Sequence, residues 1–242
     1  MSSEVILKKN SNYVFTFGNV AVGKSTILAA LASEIANNTD HFINTNNPDG
    51  NRQLMKWIDS ISNSRFPNIT MGSRILEVDF AIQTKEYLLP ITLLETSGEQ
   101  LNKVDVRNSN YSGLEQISDY IKISKLIILV ASVDDAKQDD ILLYQFLNYL
   151  ATLGAIAPIA LVLSKWDLIM DEQSLEIFVK ENLPLVYNLI SKSTYFSDIT
   201  VIKHSVGSYL KDENEFLKSE INYTKDVFDW MLMKLNTTTN NR

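Results

Sequence analysis

The sequence predicts an α/β protein of three layers, a mostly parallel sheet with helices on both faces and one antiparallel hairpin at its edge. Three observations carry that expectation. Strand-patterned and helix-patterned runs alternate along the chain. Two of the runs, residues 125–132 (KLIILVAS) and 159–163 (IALVL), are apolar almost throughout, as strands covered on both faces must be. Residues 74–84 (RILEVDFAIQT) alternate apolar and polar side chains, and the short Lys85-Glu86 link joins them to a second strand over 87–95, a hairpin pattern.

The elements follow in order. Residues 12–17 (NYVFTF) are β-prone and run into GNVAVGKST, after which 27–36 read as a helix with alanine, leucine and isoleucine on one face. Residues 37–51 are asparagine-rich and hold the turn signal Pro48-Asp49-Gly50, so a surface loop is expected. Residues 53–60 (QLMKWIDS) predict a short amphipathic helix closed off by Pro67. Pro90 stands near the start of its strand, where a missing amide is tolerated. Beyond the first buried strand the pattern predicts a helix over 139–153, the second buried strand, and helix over 172–191 broken at Pro184. A strand over 199–203 and a closing helix over 215–235 complete the chain.

The composition sets outer bounds. The chain has 242 residues, 45% of them hydrophobic, enough to fill the core of one large domain. It has no cysteine, which excludes a disulfide framework and thiolate metal sites. A net charge of −7 and the absence of a Lys/Arg run argue against nucleic acid as a partner. Residues 141–164 carry no charge, but Gln145, Asn148, Gly154 and Pro158 interrupt them, so a helix followed by a buried strand is expected rather than membrane insertion. The opening MSSEVILKKN lacks the apolar core of a signal peptide, and a cytoplasmic protein is expected.

Gly18-Asn19-Val20-Ala21-Val22-Gly23-Lys24-Ser25 fits G-x-x-x-x-G-K-[ST] at every position, with a strand before it and a helix after it. Glycines let backbone amides turn inward around a phosphate, and the following helix, entered through Lys24, Ser25 and Thr26, offers free N–H groups and its positive dipole end. Lys24 would reach the β- and γ-phosphates, and the Ser25 hydroxyl would ligate Mg²⁺.

Two further motifs stand at strand ends: Glu95-Thr96-Ser97-Gly98-Glu99-Gln100 and Ser164-Lys165-Trp166-Asp167. Taken in order with the phosphate loop, they resemble the signatures of P-loop GTPases of the Ras-like, translation-factor-related class, over most of the chain. That resemblance implies a P-loop NTPase fold in a single GTPase-like domain over 1–242, with an insertion at 37–69 before the first switch and a disordered tail at 237–242. It also implies GTP and GDP as ligands, a protein effector or regulator as partner, and hydrolysis of GTP to GDP and phosphate.

The chemistry of SKWD is direct. An Asp carboxylate accepts two hydrogen bonds from the ring N–H and exocyclic amine of guanine, a pair that adenine cannot supply. Asp167 takes that role and the Lys165 stem lies over the base. Ser164 replaces the family's Asn or Thr, with the loss of one loop-bracing contact as the expected consequence. The plain alternative is a strand-to-helix turn with a capping aspartate. His204-Ser205-Val206-Gly207-Ser208 resembles the loop that offers a backbone amide to the guanine oxygen, although Val206 and Gly207 depart from the pattern. TSGEQ also resembles the signature of ABC transporter ATPases, but that reading leaves SKWD unexplained.

The resemblance assigns Thr70 to Mg²⁺ and the γ-phosphate, against the alternative of a surface threonine, and Glu95 to the position of a magnesium-holding Asp. Glu99 stands where Ras-like enzymes place the Gln that orients water, and Gln100 serves only after a one-residue change of register. A carboxylate beside the γ-phosphate adds repulsion, so slow, partner-assisted hydrolysis is expected. A nucleotide-dependent binding module without hydrolysis and an ATP-using enzyme stay open as alternatives. Arg65 and Arg107 are arginine-finger candidates or surface residues; His41 and His204 form no ligand cluster. Trp57 is either an interface anchor or packing for the insertion. A narrower resemblance to prokaryotic double-GTPase proteins carries no residue assignments.

Overall fold

A computed structural model describes residues 11–38, 42–44, 48–67, 75–83, 88–96, 117–169, 173–210, 215–217 and 223–239. Among these residues seven strands form one sheet in the order β2-β3-β4-β1-β5-β6-β7. They are β1 (Asn12–Gly18), β2 (Phe42–Asn44), β3 (Leu76–Gln83), β4 (Leu88–Glu95), β5 (Ser124–Ser132), β6 (Ile159–Ser164) and β7 (Ile199–Lys203). Five of them, β4, β1, β5, β6 and β7, run parallel, while β3 is antiparallel to both β4 and β2. This is the mostly parallel, helix-covered sheet with an antiparallel edge that the alternation of elements predicts, in the P-loop NTPase-like arrangement that the motifs imply.

The period-two rule explains why the central strands read as solid apolar runs. In β5, Leu126, Ile128 and Val130 point into one core, and Ile127, Leu129 and Ala131 into the other. The first core lies under α1 (Lys24–Asn37), α2 (Pro48–Ser62) and α7 (Thr224–Thr239). The second lies under α3 (Ser118–Ile123), α4 (Ala136–Leu153), α5 (Leu175–Asn182) and α6 (Pro184–Lys192), where Phe146 stacks on Phe17 with 3.6 Å between ring centroids. The break at Pro184 has a specific cause. Pro184 opens α6, and the buried Asp140 carboxylate on α4 accepts the Leu185 and Val186 amides at 3.0 Å each.

Three sequence expectations need correction. Residues 37–51 are not one loop: Phe42–Asn44 pairs with β3, and α2 begins at Pro48. Pro-Asp suits the first turn of a helix as well as a turn, because proline gives up an amide that has no helical partner there. Residues 215–217 are not helical but form β9 (Glu215–Leu217), paired antiparallel with β8 (Ser208–Leu210). That pairing satisfies backbone groups in a way no local periodicity displays. The closing helix instead starts at Thr224 and runs to Thr239, three residues into the segment expected as a tail, since a formed helix extends at little cost.

Trp57 is a packing residue. It is 2% exposed and sits with Leu54 and Ile61 in the first core, on the face that α2 turns toward α1. Among the described residues no helix is long and apolar enough to cross a membrane; the uncharged stretch at 141–164 divides into α4 and β6 as expected.

Candidate functional site

Parallel strands bring their carboxyl ends to one edge of the sheet, the place where α/β folds build sites. The registers Thr16↔Glu95, Gly18↔Val130 and Ser132↔Ser164 align the ends of β1, β4, β5 and β6 there. Every described candidate residue from the three motifs lies on that edge or in the loops that leave it.

The phosphate loop leaves β1 at Gly18. A Cβ at Gly18 would stand 2.5 Å from the Val130 carbonyl oxygen, so only glycine lets β1 and β5 close at this point. Asn19 and the exposed Val20 turn the chain outward, with the Val20 amide on the Asn19 side-chain oxygen at 2.8 Å. Ala21 (φ 59°) and Gly23 (φ 93°) are left-handed, and buried Val22 anchors the loop to the core. At Gly23 the φ itself favours glycine. Helix α1 then opens at Lys24 with neither a side-chain cap nor an acidic residue in its first turn, so its leading amides and dipole suit an anion.

Lys24 is buried, and its Nζ donates to the carbonyls of Gly18 at 2.9 Å and Asn19 at 2.6 Å. Burial lowers its pKa to about 8, against the opposing pull of the Glu95 and Asp139 carboxylates. Ser25 Oγ donates to Glu95 Oε1, which joins the phosphate loop to the end of β4. Thr26, half-buried, completes the first turn. A hydroxyl beside a carboxylate is a hard-oxygen donor pair, the type that Mg²⁺ takes alongside phosphate oxygens and water. Among the described residues no group of three or more His, Cys, Asp or Glu side chains forms a self-sufficient metal site.

At the other end of the edge, Ser164 Oγ donates to the Val22 carbonyl at 2.5 Å and lies 3.2 Å from the Ala131 carbonyl. The expected loss of a brace at Ser164 is therefore corrected: the short hydroxyl reaches the phosphate loop because β6 ends directly behind it. Lys165 adopts φ 57°, and its Nζ meets both Asp134 carboxylate oxygens at 2.9 and 3.1 Å. Trp166 packs edge-on against Phe178, which fixes the short turn that carries Asp167. Asp167 Oδ1 accepts from Ser205 Oγ at 2.6 Å, and Ser205 Oγ in turn accepts the Gly207 amide at 3.1 Å. Val206 is buried between them. The His204 carbonyl takes the Trp166 amide at 3.1 Å, so the SKWD and HSVG loops form one unit. His204 itself is structural: its ring nitrogen meets Thr224 Oγ1 at 3.2 Å, and burial pushes its pKa down to about 4.

Thr70, Glu99, Gln100, Arg107 and His41 lie outside the described residues. The remaining candidates from the three motifs come together, whereas Arg65 stands at the far end of α2, its amide bonded to the Ser60 carbonyl. Sequence reasoning missed Ser132, Asp134 and Asp139. Ser132 Oγ donates to Asp134, and Asp139 Oδ2 accepts the Ser132 amide at 2.9 Å. Among the described residues Asp139 Oδ1 has no partner in hydrogen-bond geometry, although the Asn19 side chain lies near enough to ease its charge. The readable signal was an acidic run directly after a buried strand, on the edge where the other motifs also lie.

No protein-family model matches the chain, and no curated protein matches it. Among solved structures it is similar to GDP-bound RocCORdC of Roco2 from Methanosarcina barkeri, at 14% identity and a TM-score of 0.49. The match covers 93% of this chain and 49% of that one, so the chain spans about half the length of that protein.

Proposed function

We propose that this chain is a guanine-nucleotide-binding switch protein that takes GTP and GDP with Mg²⁺ and hydrolyses GTP slowly, with help from a partner. The observation that carries the reading is the Ser205–Asp167 bond, which aims one carboxylate oxygen and leaves the rest of the group to accept from a base. It lies on the same sheet edge as the phosphate loop, tied to that loop through Ser164. A site of this kind discriminates because a base that lacks the paired donors leaves polar groups unmet.

In this reading the amides of residues 18–26 and the Lys24 ammonium hold the phosphates. Ser25 and Glu95, with Thr70 from the first switch, hold the metal, which when bound offsets charge on the phosphate oxygens. Lys165 covers one face of the base, Asp167 reads its edge, and the 205–207 loop supplies a backbone amide. Glu99 and Gln100 belong to the second switch, where a carboxylate near the γ-phosphate slows attack by water. Segments 60–72 and 96–113 carry the conformational output, because a ligand shifts states only through differential affinity.

The test is one titration of GTP, GDP and ATP with magnesium, followed by phosphate release over an hour. Guanine preference and turnover well below about 1 s⁻¹ are expected, the range of unassisted enzymes of this type. Equal affinity for ATP and GTP overturns the guanine reading. Binding with no phosphate release makes the chain a nucleotide-dependent binding module instead.

A further inference from the structure

We infer that Asp134 is a positioning residue for base recognition: it fixes Lys165 in place before a nucleotide arrives, and so lengthens the residence of the bound base. The inference rests on the nucleotide reading above and adds to it a residue that belongs to none of the three motifs.

The geometry follows from strand register. Ser132 and Ser164 are paired neighbours at the ends of β5 and β6, so residues just beyond them share one rim. Asp134 lies two positions past Ser132, and Lys165 one past Ser164. The Lys165 ammonium bridges both Asp134 oxygens at 2.9 and 3.1 Å, and Ser132 Oγ holds the carboxylate from behind. Partial burial works against the Asp134 charge, but the bonds from Ser132 and Lys165 more than offset it, and its pKa lies below the usual value.

Stability gives little reason for such a pair. Its side chains are 37% and 43% exposed, and exposed ion pairs contribute little to folding. Its effect on a ligand is different. A lysine side chain has many rotamers, and the ordering cost falls on binding unless the fold has already met it. Asp134 meets it here. The ion pair holds the Lys165 ammonium on the rim where β5 and β6 end.

The test is a double-mutant cycle on the dissociation rate of fluorescently labelled GDP. Asp134→Asn keeps an acceptor for Ser132 but loses the ion pair, and it is expected to speed release by about three- to ten-fold, in the lower part of the range of couplings between contacting residues. Lys165→Met speeds release at least as much, and the double variant releases no faster than Lys165→Met alone. Asp134→Glu restores part of the lost residence, and unchanged thermal midpoints show that folding is not the cause. An unchanged rate in Asp134→Asn overturns the inference, as does the same acceleration in the Lys165→Met background. If ADP competes as well as GDP on the unmodified chain, the guanine reading fails, and the same cycle on labelled ADP then supports or overturns the role of Asp134 by the same comparison of rates. A chain that binds neither nucleotide overturns both.

Discussion

The Ser164 hydroxyl donates to the Val22 carbonyl across 2.5 Å, and that contact joins the loop after β6 to the glycine-bounded loop after β1. Both residues are buried, so no water replaces the bond when the hydroxyl is lost. Ser164→Ala leaves a buried carbonyl unmet and is expected to cost about 1–2 kcal/mol of unfolding free energy in urea melts. It should also weaken GDP and GTP binding together, since the two loops lose their common reference. A variant that weakens one nucleotide alone would place the effect elsewhere.

Gly18→Ala tests the closure of β1 against β5. The added methyl meets backbone oxygen 2.5 Å away, an atom that cannot rotate aside, so a strand must shift. Overpacking of this kind costs about 1–3 kcal/mol, read as a lowered thermal midpoint. Nucleotide affinity should fall by more than the stability loss predicts, because the shift moves the first residue of the phosphate loop.

Asp167→Asn tests the proposed reading of guanine. Asparagine keeps an acceptor for Ser205 but presents a donor where guanine also donates. GTP affinity is expected to drop by about 10- to 100-fold, as for loss of a charged acceptor in a buried site, while ATP binding stays as weak as before. Competition binding with both nucleotides checks it. Retained GTP affinity would mean that Asp167 caps its turn and nothing more.

How much was legible in the sequence depended on how local each cause was. Strands β5 and β6 were readable because burial on both faces writes itself into consecutive residues. The phosphate loop was readable because backbone curvature demands particular residues at fixed spacing, and the structure adds the reason for Gly18 in the Val130 carbonyl. Pro48-Asp49 was ambiguous in principle, since the same pair opens a turn or a helix. The pairs Lys165–Asp134, Asp139–Ser132 and Asp140–Val186 were not legible, because each depends on which strands and helices become neighbours. Trp57 shows the same limit: its helical spacing was visible, but only packing against α1 decides that it faces inward.

The acid-range stability of the chain should show two opposed titrations. Buried His204 has a pKa of about 4 against an ordinary 6.5, so between those values the unfolded chain takes up a proton that the folded chain refuses. Stability from this group is complete above pH 6.5 and is lost as pH falls toward 4. Asp139 works the other way. Burial raises it from 3.8 to about 6, opposed by the bond from Ser132 and by the nearby Asn19 side chain, helped by the Asp135 charge and opposed again by that of Lys165. Between those values the folded chain keeps a proton that the unfolded chain has released, so stability falls as pH rises from about 4 to about 6. Each arm is worth at most about 1.4 kcal/mol per pH unit, and over that shared window they largely cancel. Asp139→Asn removes one arm. Its stability relative to the unmodified chain should climb from pH 4 to pH 6 and then level off, measured by urea denaturation at half-unit steps. Other groups titrate alike in both proteins and drop out of the difference. A flat difference across that range would show that Asp139 stays ionised beneath the phosphate loop, with the Asn19 amide turned fully onto its second oxygen.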